Sequence, residues 1–389
     1  MGFAQYRRAQ IDAVPKAASK RDCTRSNPFI SGDAPACLQH RERIKEAIVR
    51  VLVTGGAGFI GSHLCERLIG DGHTVLCLDN LLTGRLENLK GVIEHPSFTL
   101  LRQDVTAPVD FEVDRIYHLA GSSSQIHYLR DRIKTTQTHV NGTLNVLSLA
   151  ACSGARVLLA SSSGVYGDPR VDPQTEDYWG HVDPIGSRSC HDEGKRMAES
   201  LMTSFHQQHG VDIRIARIFH TYGPRMMEAD GRVVTNFVTQ ALRGDALTIY
   251  GTGSQTRAFC FVDDVVDGLV RLMETKEIVK PVNLGHPAEL TVLDLARMVG
   301  ELAGVDPRLR FYPIPKDDPR QRRPDITRAR RLLGWEPRVS LREGLRMTIQ
   351  DLAARIRRPR VQTTLRFAIE ANRKRFGDAA ARRASRTGS

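Results

Sequence analysis

Residues 50–61 read RVLVTGGAGFIG, a β-branched run cut short by glycines. No other stretch narrows the possible folds as much. Val51, Leu52 and Val53 have the composition of a strand buried on both faces, while Gly55, Gly58 and Gly61 fall where a strand-to-helix turn must bring bare backbone against a pyrophosphate and a neighbouring strand. A glycine turn alone is weak evidence, but its context agrees. An amphipathic helix with Ile60, Leu64, Leu68 and Ile69 follows, and a second strand, Thr74 to Leu78, ends in Asp79 where a ribose-binding acid is needed. The spacing predicts a dinucleotide site at the head of a βαβ unit. A carboxylate at Asp79 accepts a 2′-hydroxyl and repels a 2′-phosphate, which argues for NAD rather than NADP. The competing account is a structural turn with no ligand.

The pattern continues as a doubly wound α/β fold with a parallel sheet would. Phe98 to Leu101 reads as a third strand closing on Asp104, Arg115 to Ala120 as a fourth and Arg156 to Ser161 as a fifth. Residues 133–151 form a long helical pattern with Val140, Leu144, Leu147 and Ala151 as its apolar positions. The fifth strand opens at its carboxyl end into SSSGVYGDP, where ligand chemistry is expected in such a sheet. A helix from Ser189 to His209 and a strand from Ile213 to Phe219 follow. Beyond Tyr222 glycines and prolines break the alternation, and helices are predicted at Val262 to Glu274 and Thr291 to Ala303, with Thr291 as an N-cap. Asp263 and Asp264 fall at a helix start, where capping and dipole compensation explain them better than a catalytic pair. Four regions result: an extension over 1–49, a Rossmann-type NAD-binding domain over 50–220, a smaller substrate-binding lobe over 221–350 with some return to the sheet, and a tail over 351–389.

The formal charge of +12 would suggest nucleic acid if it were spread over the body. It is not. Eleven Lys and Arg stand against two acids in residues 355–389 and nine against five in residues 1–49, which leaves the rest near −1. Both ends are expected to be solvated or disordered, and a nucleic-acid role is not expected. Seven cysteines (Cys23, Cys37, Cys65, Cys77, Cys152, Cys190, Cys260) are scattered without a CxxC, so neither a disulfide framework nor a metal site is predicted. No apolar run is long enough to span a membrane and the first 49 residues lack a secretory core, so a cytoplasmic setting is expected.

The strings GGAGFIG, SSSGVYGDP, RSCHDEGKRMAE, RIFHTYGPRM, YGTGSQTRAFCFVDD and DDPRQRRPDITRARRLLGWEP, spread over roughly residues 50–350, resemble an extended short-chain dehydrogenase/reductase acting on nucleotide sugars, most closely the UDP-glucuronate decarboxylase (UDP-xylose synthase) family. The resemblance implies a cycle on one bound NAD: oxidation at C4 of the glucuronate, loss of carbon dioxide from the resulting β-keto acid, and reduction of the 4-keto-pentose to UDP-xylose. It also implies site residues. Ser162 matches the residue that bonds the C4 oxygen, Lys195 the lysine on the nicotinamide ribose, and Gly55, Gly58, Gly61, Asp79 and Asp104 the NAD site. Arg257 and Arg322 match arginines on the UDP-sugar, and Tyr250 lies where the family holds the nucleotide. Family members usually dimerise through a four-helix bundle of the 133–151 and 189–209 helices, for which Leu144, Leu147, Met197 and Leu201 are the apolar candidates.

The departures from the pattern fall on the chemistry. The family tyrosine four residues before the lysine is His191 here, and its glutamate two residues before the tyrosine of VYG is Gly164. Two family asparagines are His139 and His220, and the loop after the fourth strand reads HLAGSSSQ. Imidazole is a common general base, but its outer nitrogen falls roughly 2 Å short of a phenolic oxygen on the same Cα, and a 1 Å misplacement can cost about 10²-fold. Three outcomes therefore stand side by side: a decarboxylase using His191, an epimerase or oxidoreductase using His191, and a protein that binds NAD and UDP-sugar without turnover.

Overall fold

The computed structural model describes residues 49–314 and 321–356; the extension up to residue 48 and the tail from residue 357 lie outside the described residues, while 351–356 continue the last helix. A seven-stranded, wholly parallel sheet organises the rest. It comprises β1 (Arg50–Thr54), β2 (Thr74–Asp79), β3 (Phe98–Arg102), β4 (Arg115–His118), β5 (Arg156–Ser162), β6 (Ile213–Ile218) and β11 (Val282–Leu284), in the spatial order β11-β6-β5-β4-β1-β2-β3. The order reverses between β1 and β4. In an open α/β sheet such a switch point leaves a crevice at the strands' carboxyl ends.

The period of two along β1 sorts its side chains between two cores. Val51 and Val53 join one cluster with Leu64 and Leu68 of α1 (Phe59–Gly70) and Leu269 of α6 (Val262–Glu274). Leu52 joins the other, with Leu147 of α3 (Arg132–Ser153) and Met202 of α4 (Ser189–His209). All three β1 side chains are buried, and each contributes about 1.5–3 kcal/mol on leaving water. This explains why the run is apolar without alternation.

The stripe expected on α3 is rotated. Leu147 is buried, but Val140 and Leu144 are half-buried and Ala151 is exposed; the inward face carries Thr135, His139, Gly142, Thr143, Val146 and Ala150. The cause is close packing on α4. A Cβ on Gly194 of α4 would stand 2.9 Å from His139 Cδ2, so the interface is built from small and polar groups that a count of large apolar residues misses. Leu147 is therefore core, not available to a second copy, whereas Met197 is exposed.

Between β6 and β11 lie β7 (Thr221–Tyr222), α5 (Val233–Arg243), β8 (Leu247–Tyr250), β9 (Thr256–Ala258), β10 (Cys260–Phe261) and α6. After β11 come β12 (Glu289–Thr291), α7 (Val292–Ala303), β13 (Leu309–Tyr312), α8 (Thr327–Leu333) and α9 (Leu341–Ile356). A short helix, α2 (Gln125–Arg130), precedes α3. Thr291 caps α7 by accepting from Asp294 N at 3.0 Å. Asp263 and Asp264 lie in the first turn of α6, but neither caps it: Asp264 accepts from Val339 N at 3.0 Å and Asp263 pairs with His63 at 3.3 Å. The Asp264 contact ties the later chain to this helix.

Candidate functional site

The first turn is shaped by what it cannot hold. Gly55 has a φ of +73°, and a Cβ there would meet Ala120 N at 2.9 Å; one on Gly61 would stand 2.2 Å from Gly55 O. Gly58 N donates to Gly55 O at 3.1 Å and opens α1, whose N-terminus faces the crevice. A cradle of bare backbone at a helix N-terminus suits a pyrophosphate. At the end of β2 the buried Asp79 accepts from Ala57 N (3.0 Å) and Leu81 N (2.8 Å), one on each oxygen. Each oxygen keeps a lone pair for a ribose hydroxyl. Burial pushes the Asp79 carboxyl up from its usual range, and the two backbone donors oppose it. Asp104 accepts from Lys134 Nζ (2.8 Å), Asn80 Nδ2 (2.8 Å) and Thr106 N and Oγ1. Burial works against its charge, but these donors outweigh burial and hold the carboxyl below the ordinary range.

The reactive end lies where β5 runs out. Ser162 accepts from Gly164 N at 3.1 Å, which fixes its hydroxyl at the strand tip, while Ser161 turns away and donates to Glu199 Oε1 at 2.6 Å. Lys195 is buried on α4, donates to Ala160 O at 2.7 Å, and burial pushes its pKa down to about 8, with Glu199 pulling upward. His191, one turn earlier, is buried, with Nδ1 2.9 Å from Asp192 Oδ1. Burial lowers its pKa, Asp192 resists, and the charges of Lys195 and Arg188 add to the lowering. His118 of β4 lies behind, bonded to Thr54 Oγ1 at 2.8 Å and Thr143 Oγ1 at 3.2 Å, and burial pushes it down to about 3, so it is a neutral structural imidazole.

One cavity of about 1090 Å³ gathers these groups. Its lining takes in Gly55, Gly58, Gly61, Asp79 and Asp104, then Ser162, His191 and Lys195, and also Tyr250, Arg257 and Arg322. Arg257 and Arg322 are both buried, and Tyr250 is half in solvent against Tyr312. The volume exceeds the roughly 300–1,000 Å³ of a single small-molecule pocket, as two ligands laid end to end would require. Gly164 does not line the cavity; it lies behind the reactive end, against Asp192. Asp192, Arg188 and Tyr128, which surround His191, are not singled out by the sequence pattern. The only hint of them is the His-Asp adjacency.

The profile of the NAD dependent epimerase/dehydratase family matches residues 51–285. The chain belongs to this family. As a family member it is 55% identical over 313 residues to UDP-glucuronic acid decarboxylase 3 of Arabidopsis thaliana, spanning 80% of this chain and 91% of the relative. It is 55% identical over 301 residues to UDP-glucuronic acid decarboxylase 1 of Danio rerio, spanning 77% and 72%. Among solved epimerase/dehydratase structures it resembles UDP-glucuronic acid 4-epimerase from Bacillus cereus in complex with UDP-glucuronic acid and NAD, at a TM-score of 0.72 and 27% identity over 79% of this chain and 99% of that one. The resemblance to UDP-glucuronate decarboxylases expected from the motifs is thus borne out, as is the Rossmann-type fold. The cofactor is NAD, and the chain's residues fit it: the cradle is one that a Cβ would fill, and Asp79 is set to take a ribose. Among the described residues no helix is long and apolar enough to cross a membrane, and no cluster of three or more His, Cys, Asp or Glu could hold a metal.

Proposed function

We propose that this family member is an NAD-dependent UDP-glucuronate decarboxylase that works through an imidazole instead of a phenol. The single observation that carries the reading is the shared cavity, which a dinucleotide cradle, a Ser-His-Lys group and two buried arginines all line. When bound, NAD accepts the C4 hydrogen with its electron pair and later returns it, so the cofactor ends unchanged. The chain's own residues supply the rest. Gly55, Gly58 and Gly61 admit the pyrophosphate, and Asp79 and Asp104 orient the adenosine half. Ser162 holds the C4 oxygen, His191 takes the C4 hydroxyl proton and returns it, and Lys195 binds the nicotinamide ribose as a cation. Arg257 and Arg322 clamp the diphosphate, beside Tyr250.

In this reading residues 50–220 hold NAD and residues 221–350 present the UDP-sugar. The protein works in the cytoplasm, as its scattered cysteines suggest, and pairs as a homodimer through α3 and α4, with exposed Met197 and half-buried Leu144 and Leu201 as the apolar contacts. Incubation of the full chain with UDP-glucuronate and NAD tests the function. Release of carbon dioxide with UDP-xylose is expected. A second reading draws on His191 and Gly164, which stand where the resemblance expects two acid/base groups. A UDP-sugar product that keeps its carboxylate would turn the assignment to an epimerase, and binding of both ligands without product to a partner or regulator.

A further inference from the structure

His191 sits in a socket on three sides. Its ring stacks on Tyr128 of α2 at 5.0 Å between centroids and 25°, and His139 of α3 meets it edge-on at 5.4 Å. On the third side Asp192 Oδ1 lies 2.9 Å from Nδ1, while Asp192 Oδ2 accepts from Arg188 Nε at 3.3 Å. Asp192 is buried; burial alone would raise its pKa, but the His191 hydrogen bond and the charge of Arg188 hold it below the usual carboxylate range. An ionised carboxylate only accepts, so the ring proton sits on Nδ1 and Nε2 is a bare lone pair. That Nε2 is buried and has no hydrogen-bond partner among the described residues.

The space for this carboxylate is made by Gly164. A Cβ there would stand 2.3 Å from Asp192 Oδ1 and 3.3 Å from His191 Cε1. Gly164 is not among the glycines with positive φ, so room, not backbone conformation, is what its missing side chain supplies.

We infer that Asp192 is a positioning residue that fixes His191 as the Nδ1–H tautomer with Nε2 free as the base, and that Gly164 exists to admit it. The two departures from the family pattern are then one device: an imidazole base needs an orienting carboxylate, and the carboxylate needs the glycine. In the oxidation step the sugar O–H bond breaks and an N–H bond forms at Nε2, while the C4–H electron pair goes to NAD as above. Asp192 stays ionised and offsets the imidazolium until the proton returns to the sugar oxygen. This inference rests on the decarboxylase reading for its substrate, but not for its tautomer.

The test is nitrogen-15 NMR of histidine-labelled full-length protein with NAD and UDP bound, the His191 signal being assigned by its loss in His191→Tyr. The native chain should show Nδ1 protonated and Nε2 bare across neutral pH, where Tyr128, His139, Asp192, Lys195 and Arg188 are the polar groups facing or fielding the ring. Asp192→Asn should move the proton to Nε2, because its amide donates to Nδ1, and lower kcat about 10²–10⁴-fold with KM and NAD affinity within about threefold. Gly164→Ala should do the same by displacing the carboxylate. An Nε2–H tautomer in the native chain, or an Asp192→Asn variant with kcat within about threefold of native, would overturn the inference. If the native chain makes no UDP-xylose, the decarboxylase reading fails, and the tautomers still decide this one.

Discussion

Lys195 and His191 share a helix face, and burial moves both pKa values downward with opposite consequences. For Lys195 the charged form is present below about pH 8 and lost above it. The pH–rate profile of the native chain should therefore fall on its alkaline side with a midpoint near pH 8, and Lys195→Met should lower the rate about 10²-fold or more. For His191 the useful form is the neutral one, which burial favours, so the acid limb should lie below the ordinary 6.5 of imidazole. A limb at or above that value would assign the base elsewhere. Elsewhere in the cavity, Asp79→Ala should weaken NAD by about 10–150-fold, the value of a charged hydrogen bond, and should narrow the preference over NADP; calorimetry with each dinucleotide checks it. That Gly55, Gly61 and Asp79 meet around one turn could be read from sequence, because the strand-glycine-helix-strand spacing brings them together. Asp192 could not, since nothing in the string HDEGK says that the carboxylate turns inward and takes Nδ1.

At the scale of one helix, α1 contains its own control. Gly61 and Gly70 are its third and last residues, and both have backbone conformations open to alanine. A methyl on Gly61 would strike Gly55 O and Gly56 Cα, which are backbone and cannot swing aside, whereas Gly70 has nothing within 4 Å. Gly61→Ala should cost about 1–3 kcal/mol or more in urea unfolding and weaken NAD, while Gly70→Ala should leave stability level or raise it by up to about 1 kcal/mol. Equal effects would deny the turn its special geometry. Elements such as α1 and α6 were legible because large apolar residues recur at helical spacing on the face that is buried. The face of α3 was not, because His139, Gly142 and Thr143 do the packing there, and no hydropathy pattern marks a histidine that fills the space over a glycine.

Across the whole molecule, the chain that leaves the sheet after β6 must also return to it, and β11 brings it back with one buried asparagine. Asn283 accepts from Tyr166 Oη at 2.8 Å and donates to Gln174 O at 3.0 Å and Asp325 O at 3.1 Å, while its backbone N–H reaches Glu176. Gln174 in turn exchanges backbone hydrogen bonds with Arg323 and Asp325. The segment carrying Arg322 is thus tied to the sheet edge through Asn283 and Gln174, with Ile326 anchoring the chain just beyond it in the core. In Asn283→Ala, Asp325 O loses the Asn283 donor, Gln174 O keeps Asp325 N at 2.9 Å, and the Tyr166 hydroxyl loses its acceptor, keeping only Arg217 Nη1 at 3.0 Å. At about 1–3 kcal/mol for each group left unpaired, a net loss of about 2–4 kcal/mol is expected. The functional effect should be one-sided. Arg322 would lose its fixed position, so UDP affinity should drop about tenfold, while the NAD cradle at β1 and β2, on the far side of the switch point, should bind as before. Calorimetry with UDP and with NAD on the same variant separates the two, and a matched loss of both would mean that the asparagine supports the sheet as a whole and not the arm that carries Arg322.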